Sequence, residues 1–173
     1  MNKFRLLDDF SQETSSLGTP WEGFTDQVMG GVSEISVLRV KNPDGNYIRM
    51  SGNVSLENNG GFIQVRLKLA EGLSVFDGSE YDGIRIRVRG EGNSYFLFLR
   101  TNTTLLPWQF YKAKIPVSEV WRTVDIPWDQ FTKGDYGTFS KLRSNRVKSI
   151  ALVAYGENFQ AMVELTEIGL YKE

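Results

Sequence analysis

The chain contains no cysteine and no histidine, and these two gaps remove whole classes of chemistry at once. Zinc sites built on thiolate or imidazole, Cys–His and Ser–His–Asp catalysis, thiol redox work, haem ligation through either residue and a histidine pH switch are all excluded. Carboxylates, lysine, tyrosine or a Ser–Lys pair remain available for catalysis. A large charge excess is also missing: 20 Lys and Arg stand against 21 Asp and Glu, which argues against a nucleic-acid or membrane-surface partner. No apolar run approaches the length of a membrane-spanning helix. In the first ten residues Asp8 and Asp9 cut off any secretory apolar core, so a cytoplasmic location is expected; the lack of cysteine fits a reducing compartment. No composition shift, proline-rich linker, low-complexity tract or internal repeat divides the sequence. Residues 1–173 are therefore expected to form a single domain, long enough to bury a core without metal or disulfide support.

Glycine and aromatic residues are plentiful, and the apolar residues alternate. Ile63, Val65, Leu67 and Leu69 interleave with Gln64, Arg66 and Lys68, and Ile84, Ile86 and Val88 with Arg85, Arg87 and Arg89. This period of two predicts strands with one buried and one wet face. Tyr95–Leu99 and Ile150–Tyr155 are nearly apolar throughout, as expected of central strands covered on both sides. Turn chemistry lies between the runs. Asn42-Pro-Asp-Gly-Asn46 predicts a hairpin joining 35–40 to 47–50, and Asn58–Gly61, Asp82-Gly83, Gly90-Glu-Gly92 and Lys133-Gly-Asp135 mark other reversals. A long amphipathic helix is missing, and a short turn at Trp128–Phe131 after Pro127 is the best helical candidate. The pattern predicts an all-β sandwich or barrel.

One stretch stands apart, Trp21-Glu-Gly-Phe-Thr-Asp-Gln-Val-Met-Gly-Gly-Val-Ser33. Paired glycines permit a left-handed backbone or the close approach of another group. Asp26 and Ser33 flank them with side chains suited to exposed backbone N–H groups. A plain bulge entering a strand is the simpler explanation, and a shaped binding surface is the alternative.

Several landmarks in order resemble the complex I intermediate-associated protein family. They are Thr25-Asp-Gln-Val-Met-Gly-Gly-Val-Ser33 after Trp21; Asn59-Gly-Gly-Phe62; Tyr81-Asp-Gly-Ile84; Arg87-Val-Arg-Gly90; Gly92-Asn-Ser-Tyr95; and Trp121-Arg-Thr-Val-Asp-Ile-Pro-Trp128 with Phe131. The resemblance spans about residues 4 to 171. Glu91 stands where the family usually has aspartate, and Trp128 where phenylalanine is commoner. It implies a galactose-binding-like jelly roll of two antiparallel sheets with little helix. It further implies a non-catalytic scaffold that assists assembly of NADH:ubiquinone oxidoreductase, with respiratory-complex subunits or assembly intermediates as protein partners.

The expected recognition surface is the Trp21 to Ser33 segment, with Trp21 as anchor, Asp26 and Ser33 orienting it, Gly30 and Gly31 permitting its path, and Gln27 and Met29 within it. Arg87, Tyr95, Arg100, Trp108 and Tyr111 complete the candidate binding residues. Trp108 beside Pro107 and Tyr111 offer aromatic platforms for the runner-up, a carbohydrate-binding module. Arg66, Lys68, Arg85, Arg87 and Arg89 form one basic stripe if their strands are neighbours; a solvated strand face is the commoner explanation. Phe110 and Trp121 suit the core equally well. Asp77–Asp82 gathers oxygen ligands but lacks calcium-loop spacing, so turn duty is favoured. Nothing sets a carboxylate pair apart and Ser33 has no histidine base, so catalysis by a carboxylate-dependent hydrolase ranks last. No catalytic residue, metal or cofactor is expected.

Overall fold

Alternation between apolar and polar residues, with two apolar runs, folds the described residues into twelve strands. They are β1 (Lys3–Asp8), β2 (Trp21–Thr25), β3 (Ser36–Val40), β4 (Tyr47–Val54), β5 (Phe62–Lys68), β6 (Gly83–Glu91), β7 (Tyr95–Thr101), β8 (Tyr111–Ile115), β9 (Arg122–Pro127), β10 (Thr132–Lys133), β11 (Val147–Tyr155) and β12 (Phe159–Lys172). The structure is a computed structural model that describes residues 2–106, 109–134 and 141–173. Helix among these residues is limited to single 3-10 turns at Asp26–Met29, Glu57–Asn59 and Trp128–Gln130. None is long and apolar enough to cross a membrane.

The strands pair antiparallel in two six-stranded sheets. The first runs β3-β4-β12-β6-β9, with β1 also paired to β12; the second runs β10-β8-β7-β11-β5-β2. The predicted hairpin joins β3 to β4, paired from Ser36↔Ser51 to Val40↔Tyr47. Its turn is closed by Asn42, whose Oδ1 accepts the Asp44 N–H and whose carbonyl accepts the Gly45 N–H.

Both sheets turn their apolar residues toward each other. Ile48, Met50, Ile84, Ile86, Val88, Val163 and Leu165 of the first sheet meet Ile63, Val65, Leu67, Leu97, Leu99, Ile150 and Leu152 of the second. Burying each such side chain stabilises the fold by about 1.5–3 kcal/mol. A register shift between Leu165 and Glu167 resets the phase of β12, so that Ile168 and Leu170 also point inward.

The strand assignment corrects the expected basic stripe. Arg66 and Lys68 lie on β5 of the second sheet, whereas Arg85, Arg87 and Arg89 lie on β6 of the first. On the first sheet acids neutralise Arg49, Arg85 and Arg89. Arg85 forks onto Asp125 at 2.6 and 2.9 Å, and Glu164, buried, accepts from both Arg89 at 2.5 Å and Arg49 at 2.7 Å. Arg87 donates to Thr123 Oγ1 at 3.1 Å. The Asp77 cluster serves its own turn, Asp77 Oδ1 accepting from Ser79 N–H and Ser79 Oγ.

Candidate functional site

At one end of the sandwich β2 runs directly into the 3-10 turn Asp26–Met29. Thr25 caps it by accepting the Gln27 N–H at 3.0 Å, and Gly30 ends it in the left-handed region at φ 89°. The turn places the Asp26 carboxylate in the interior, 0% exposed. It accepts from Ser33 N–H at 2.9 Å, Ser33 Oγ, Gly61 N–H at 2.5 Å and Phe62 N–H at 3.3 Å. Ser33 Oγ in turn accepts the Ser55 N–H at 2.9 Å. Ser55 follows β4 of the first sheet and Phe62 opens β5 of the second, so one buried carboxylate and one hydroxyl clasp the two sheets together.

Gly31 is required by proximity: a Cβ there would lie 2.5 Å from the Asp26 carboxyl carbon. Burial pushes the Asp26 carboxyl pKa up, yet donation from Gly61, Ser33 and Phe62 outweighs it and leaves the group below its ordinary value. The polar half of the motif therefore points inward. Its apolar half points out, with Val28 72% and Met29 55% exposed. Trp21 anchors the strand that leads in, its indole N–H donating to buried Asp8 at 2.8 Å and its ring packing on Phe10.

The second sheet carries chemistry on its outer face. Here β11 presents small residues, Ser149, Ala151 and Val153, between outward residues of β5 and β7. Registers Lys68–Ser149–Arg100, Arg66–Ala151–Phe98 and Gln64–Val153–Phe96 cross the three strands. The flanking rows stand two strand spacings apart, about 10 Å. Along β7 and β8 the rings form a cluster. Phe98 stacks on Phe110 at 4.1 Å, and Tyr155 meets Phe98 and Phe96 edge-on at 5.3 and 5.6 Å. Phe62, Phe96, Phe110 and Tyr155 remain half-buried. Across β11, the Arg66 guanidinium lies over the Phe24 ring at 4.7 Å.

Beyond the rings the face opens into a cleft of about 670 Å³, walled by the 70–73 and 101–105 segments and lined by Arg66, Lys68, Arg100 and Lys148. Arg100 is held by the Thr104 and Leu106 carbonyls at 3.0 and 2.8 Å. Lys148 pins the opposite segment through Gly72 O and Ser74 O. Burial lowers the pKa of both guanidinium groups, and Arg66 lowers that of Arg100 further.

The buried Asp26–Ser33 clasp is built from the motif that carries the family resemblance, and the family model for Complex I intermediate-associated protein 30 (CIA30) matches residues 9–164. The chain belongs to the CIA30 family. No curated protein sequence matches it. Solved structures share its fold. The family 11 carbohydrate-binding module of the cellulosomal cellulase Lic26A-Cel5E of Clostridium thermocellum superposes with a TM-score of 0.77 at 19% identity, covering 97% of this chain and 94% of that one. The Clostridium thermocellum family 11 module in complex with a β-1,3-1,4-mixed-linked tetrasaccharide gives 0.73 at 20%, covering 98% and 94%. A family 30 carbohydrate-binding module gives 0.61 at 15%, covering 87% and 81%. The CIA30 chain thus has a nearly all-β jelly-roll fold of two antiparallel sheets, as the family resemblance implies and within the all-β sandwich or barrel that the strand pattern predicts.

Within this CIA30 fold the candidate residues separate. Trp21, Asp26, Gly31 and Ser33 belong to the clasp and its anchor, while Gln27, Met29 and Gly30 lie at the surface, Gln27 Nε2 donating to Ser33 O at 2.8 Å. Arg87 sits on the far sheet. Arg100 lines the cleft. Tyr95 and Tyr111 are corrected: both are inside the core, Tyr95 OH bonding to the backbone of Glu91 and Met162. The expectation for Trp108 falls outside the described residues, as does Asp135 of the Lys133 turn. Of the two rings left open, Phe110 is on the outer face, and Trp121 is on the first sheet's outer side beneath Arg89 at 4.4 Å. Sequence reasoning missed Phe24, Phe62, Phe96, Phe98 and Tyr155. A signal existed for β8: Lys112 and Lys114 mark the wet side, so Tyr111 must face in and Phe110 out.

Proposed function

We propose that the chain is a non-catalytic binding module that holds a saccharide on the outer face of its second sheet. The observation that carries this reading is the half-buried ring cluster of Phe62, Phe96, Phe110 and Tyr155, which packs over buried Ala151 and Val153 on the same outer sheet face as the cleft. Half-buried rings beside such a cleft offer apolar faces to sugar C–H groups, while the cleft cations supply polar contacts. The carbohydrate-binding modules that share the fold support the same choice. Among the described residues, the acids with shifted pKa are Asp8, Asp9, Asp26 and Asp77, each explained by local burial or hydrogen bonds rather than by a facing acid–base partner. Titration calorimetry against a panel of soluble oligosaccharides tests the reading. Binding that weakens at least about tenfold in Tyr155→Ala, with the variant still folded at the assay temperature by circular dichroism, supports it; affinity indifferent to both Tyr155→Ala and Phe110→Ala overturns it.

A second reading is docking to a protein during respiratory complex I assembly. It is favoured by the family description and by the exposed Val28 and Met29 beside the rigid clasp. Capture of complex I subunits from native extract, lost in a folded Val28→Ser/Met29→Ser variant, would favour docking over saccharide binding.

A further inference from the structure

We propose that the ligand bears an oxyanion, a carboxylate or phosphate carried on the saccharide, which seats between Arg66 and Arg100 in the cleft at the end of the ring cluster. This rests on reading the outer face of the second sheet as the ligand face. Three partly exposed arginines of the first sheet provide the contrast. Arg49, Arg85 and Arg89 on the first sheet all hold carboxylates at 2.5 to 2.7 Å. Arg66 is treated differently. It is half-buried, lies over the Phe24 ring, and among the described residues makes neither a hydrogen bond nor an ion pair. Glu22 is its neighbour across the β2–β5 register, yet approaches no closer than the ion-pair limit of 4.0 Å.

A guanidinium carries five donors and stays charged at any physiological pH. Taking one partly out of water without an acceptor is costly. A second half-buried arginine, Arg100, lines the same cleft and is disfavoured by the Arg66 charge, while Glu22 attracts Arg66 only from beyond ion-pair distance. An anion between them relieves the repulsion and supplies the missing acceptor.

The cleft is shaped for such a group. Its lining includes four cations, Arg66, Lys68, Arg100 and Lys148, against one carboxylate, Glu71. Two of the four are already positioned by backbone carbonyls, Arg100 through Thr104 and Leu106 and Lys148 through Gly72 and Ser74. The floor at this level is Ser149, a small hydroxyl residue that leaves room for a planar carboxylate or a phosphate. Forked contact from arginine is the geometry that recognises both.

Calorimetric titration of the full chain with trigalacturonate, inorganic phosphate and neutral cellotetraose tests this, using Arg66→Gln and Arg66→Lys. Wild type is expected to prefer trigalacturonate over cellotetraose. That preference should shrink at least about tenfold in Arg66→Gln, be partly kept in Arg66→Lys, and fall as salt rises from about 0.05 to about 0.5 M. Melting temperature of the variants should match wild type. Equal binding of acidic and neutral saccharides, both indifferent to Arg66→Gln, would overturn the oxyanion site and leave the ring face standing. Phosphate bound in an Arg66-dependent way without any saccharide would keep the oxyanion site and sink the saccharide reading. Failure of both trigalacturonate and phosphate to bind overturns the inference.

Discussion

Replacing Asp26 tests whether the family motif is a clasp before it is anything else. The carboxylate accepts from three backbone N–H groups and one hydroxyl in a site with no exposed surface. Asp26→Ala strands all four donors, and removing the charged partner of a buried network costs about 3–5 kcal/mol. For a chain of this size that corresponds to a fall in Tm of about 6–20 °C. Asp26→Asn keeps one acceptor but turns an amide NH₂ toward other donors, so its cost is about 2–3 kcal/mol. Chemical denaturation in urea, with the slope checked for constancy, reads both values. The acid limb adds a second test. The folded pKa lies below the ordinary 3.8, so the stabilisation is complete above about pH 4 and is lost as pH falls through the depressed folded value. The gap between wild type and Asp26→Asn should therefore hold steady above about pH 5 and narrow as pH falls below about 4 toward the depressed folded value. A loss below about 1 kcal/mol in Asp26→Ala would refute the clasp, because four stranded donors cannot cost so little.

Other substitutions separate effects that the sequence lumps together. Gly31→Ala drives a Cβ to 2.5 Å from the Asp26 carboxyl carbon and should cost about 2–4 kcal/mol by urea unfolding. Adjacent Gly30→Ala meets open space and pays only left-handed strain at φ 89°, about 1–2 kcal/mol; equal losses at the two positions would contradict the geometry. Glu164→Ala leaves Arg49 and Arg89 facing each other across a buried position, which should lower stability by about 2–4 kcal/mol after allowing for the partial exposure of both arginines. Thermal melts in rising salt should recover part of that loss, since screening weakens the repulsion between the two cations.

Legibility differed between fold and site for a physical reason. Strand alternation is local, so Ile63 to Lys68 and Ile84 to Arg89 declared a buried and a wet side without any knowledge of their partners. The continuous apolar runs at 95–99 and 150–155 form β7 and β11 inside the second sheet, as expected of central strands, but their outer face is covered only by its own half-buried rings and not by a further layer. The same alternation, applied to single aromatic residues, would have sent Tyr95 and Tyr111 inward. The ring cluster was out of reach because Phe62, Phe98 and Tyr155 come from three strands and Phe110 from the residue before a fourth, and nothing local brings them together.

By itself the sequence determined what this chain excludes, with neither thiol nor imidazole to work with, and it determined a β-sandwich and a family through motifs that are contiguous along the backbone. Tertiary structure alone decided which arginines are neutralised. Sheet membership separates Arg66 from Arg85, Arg87 and Arg89, and long-range pairing delivers Glu164 and Asp125 to one sheet but no carboxylate within ion-pair distance of Arg66 among the described residues. Charge compensation depends on distances of a few ångströms between residues far apart in the chain, so it exists only once the sheets have formed.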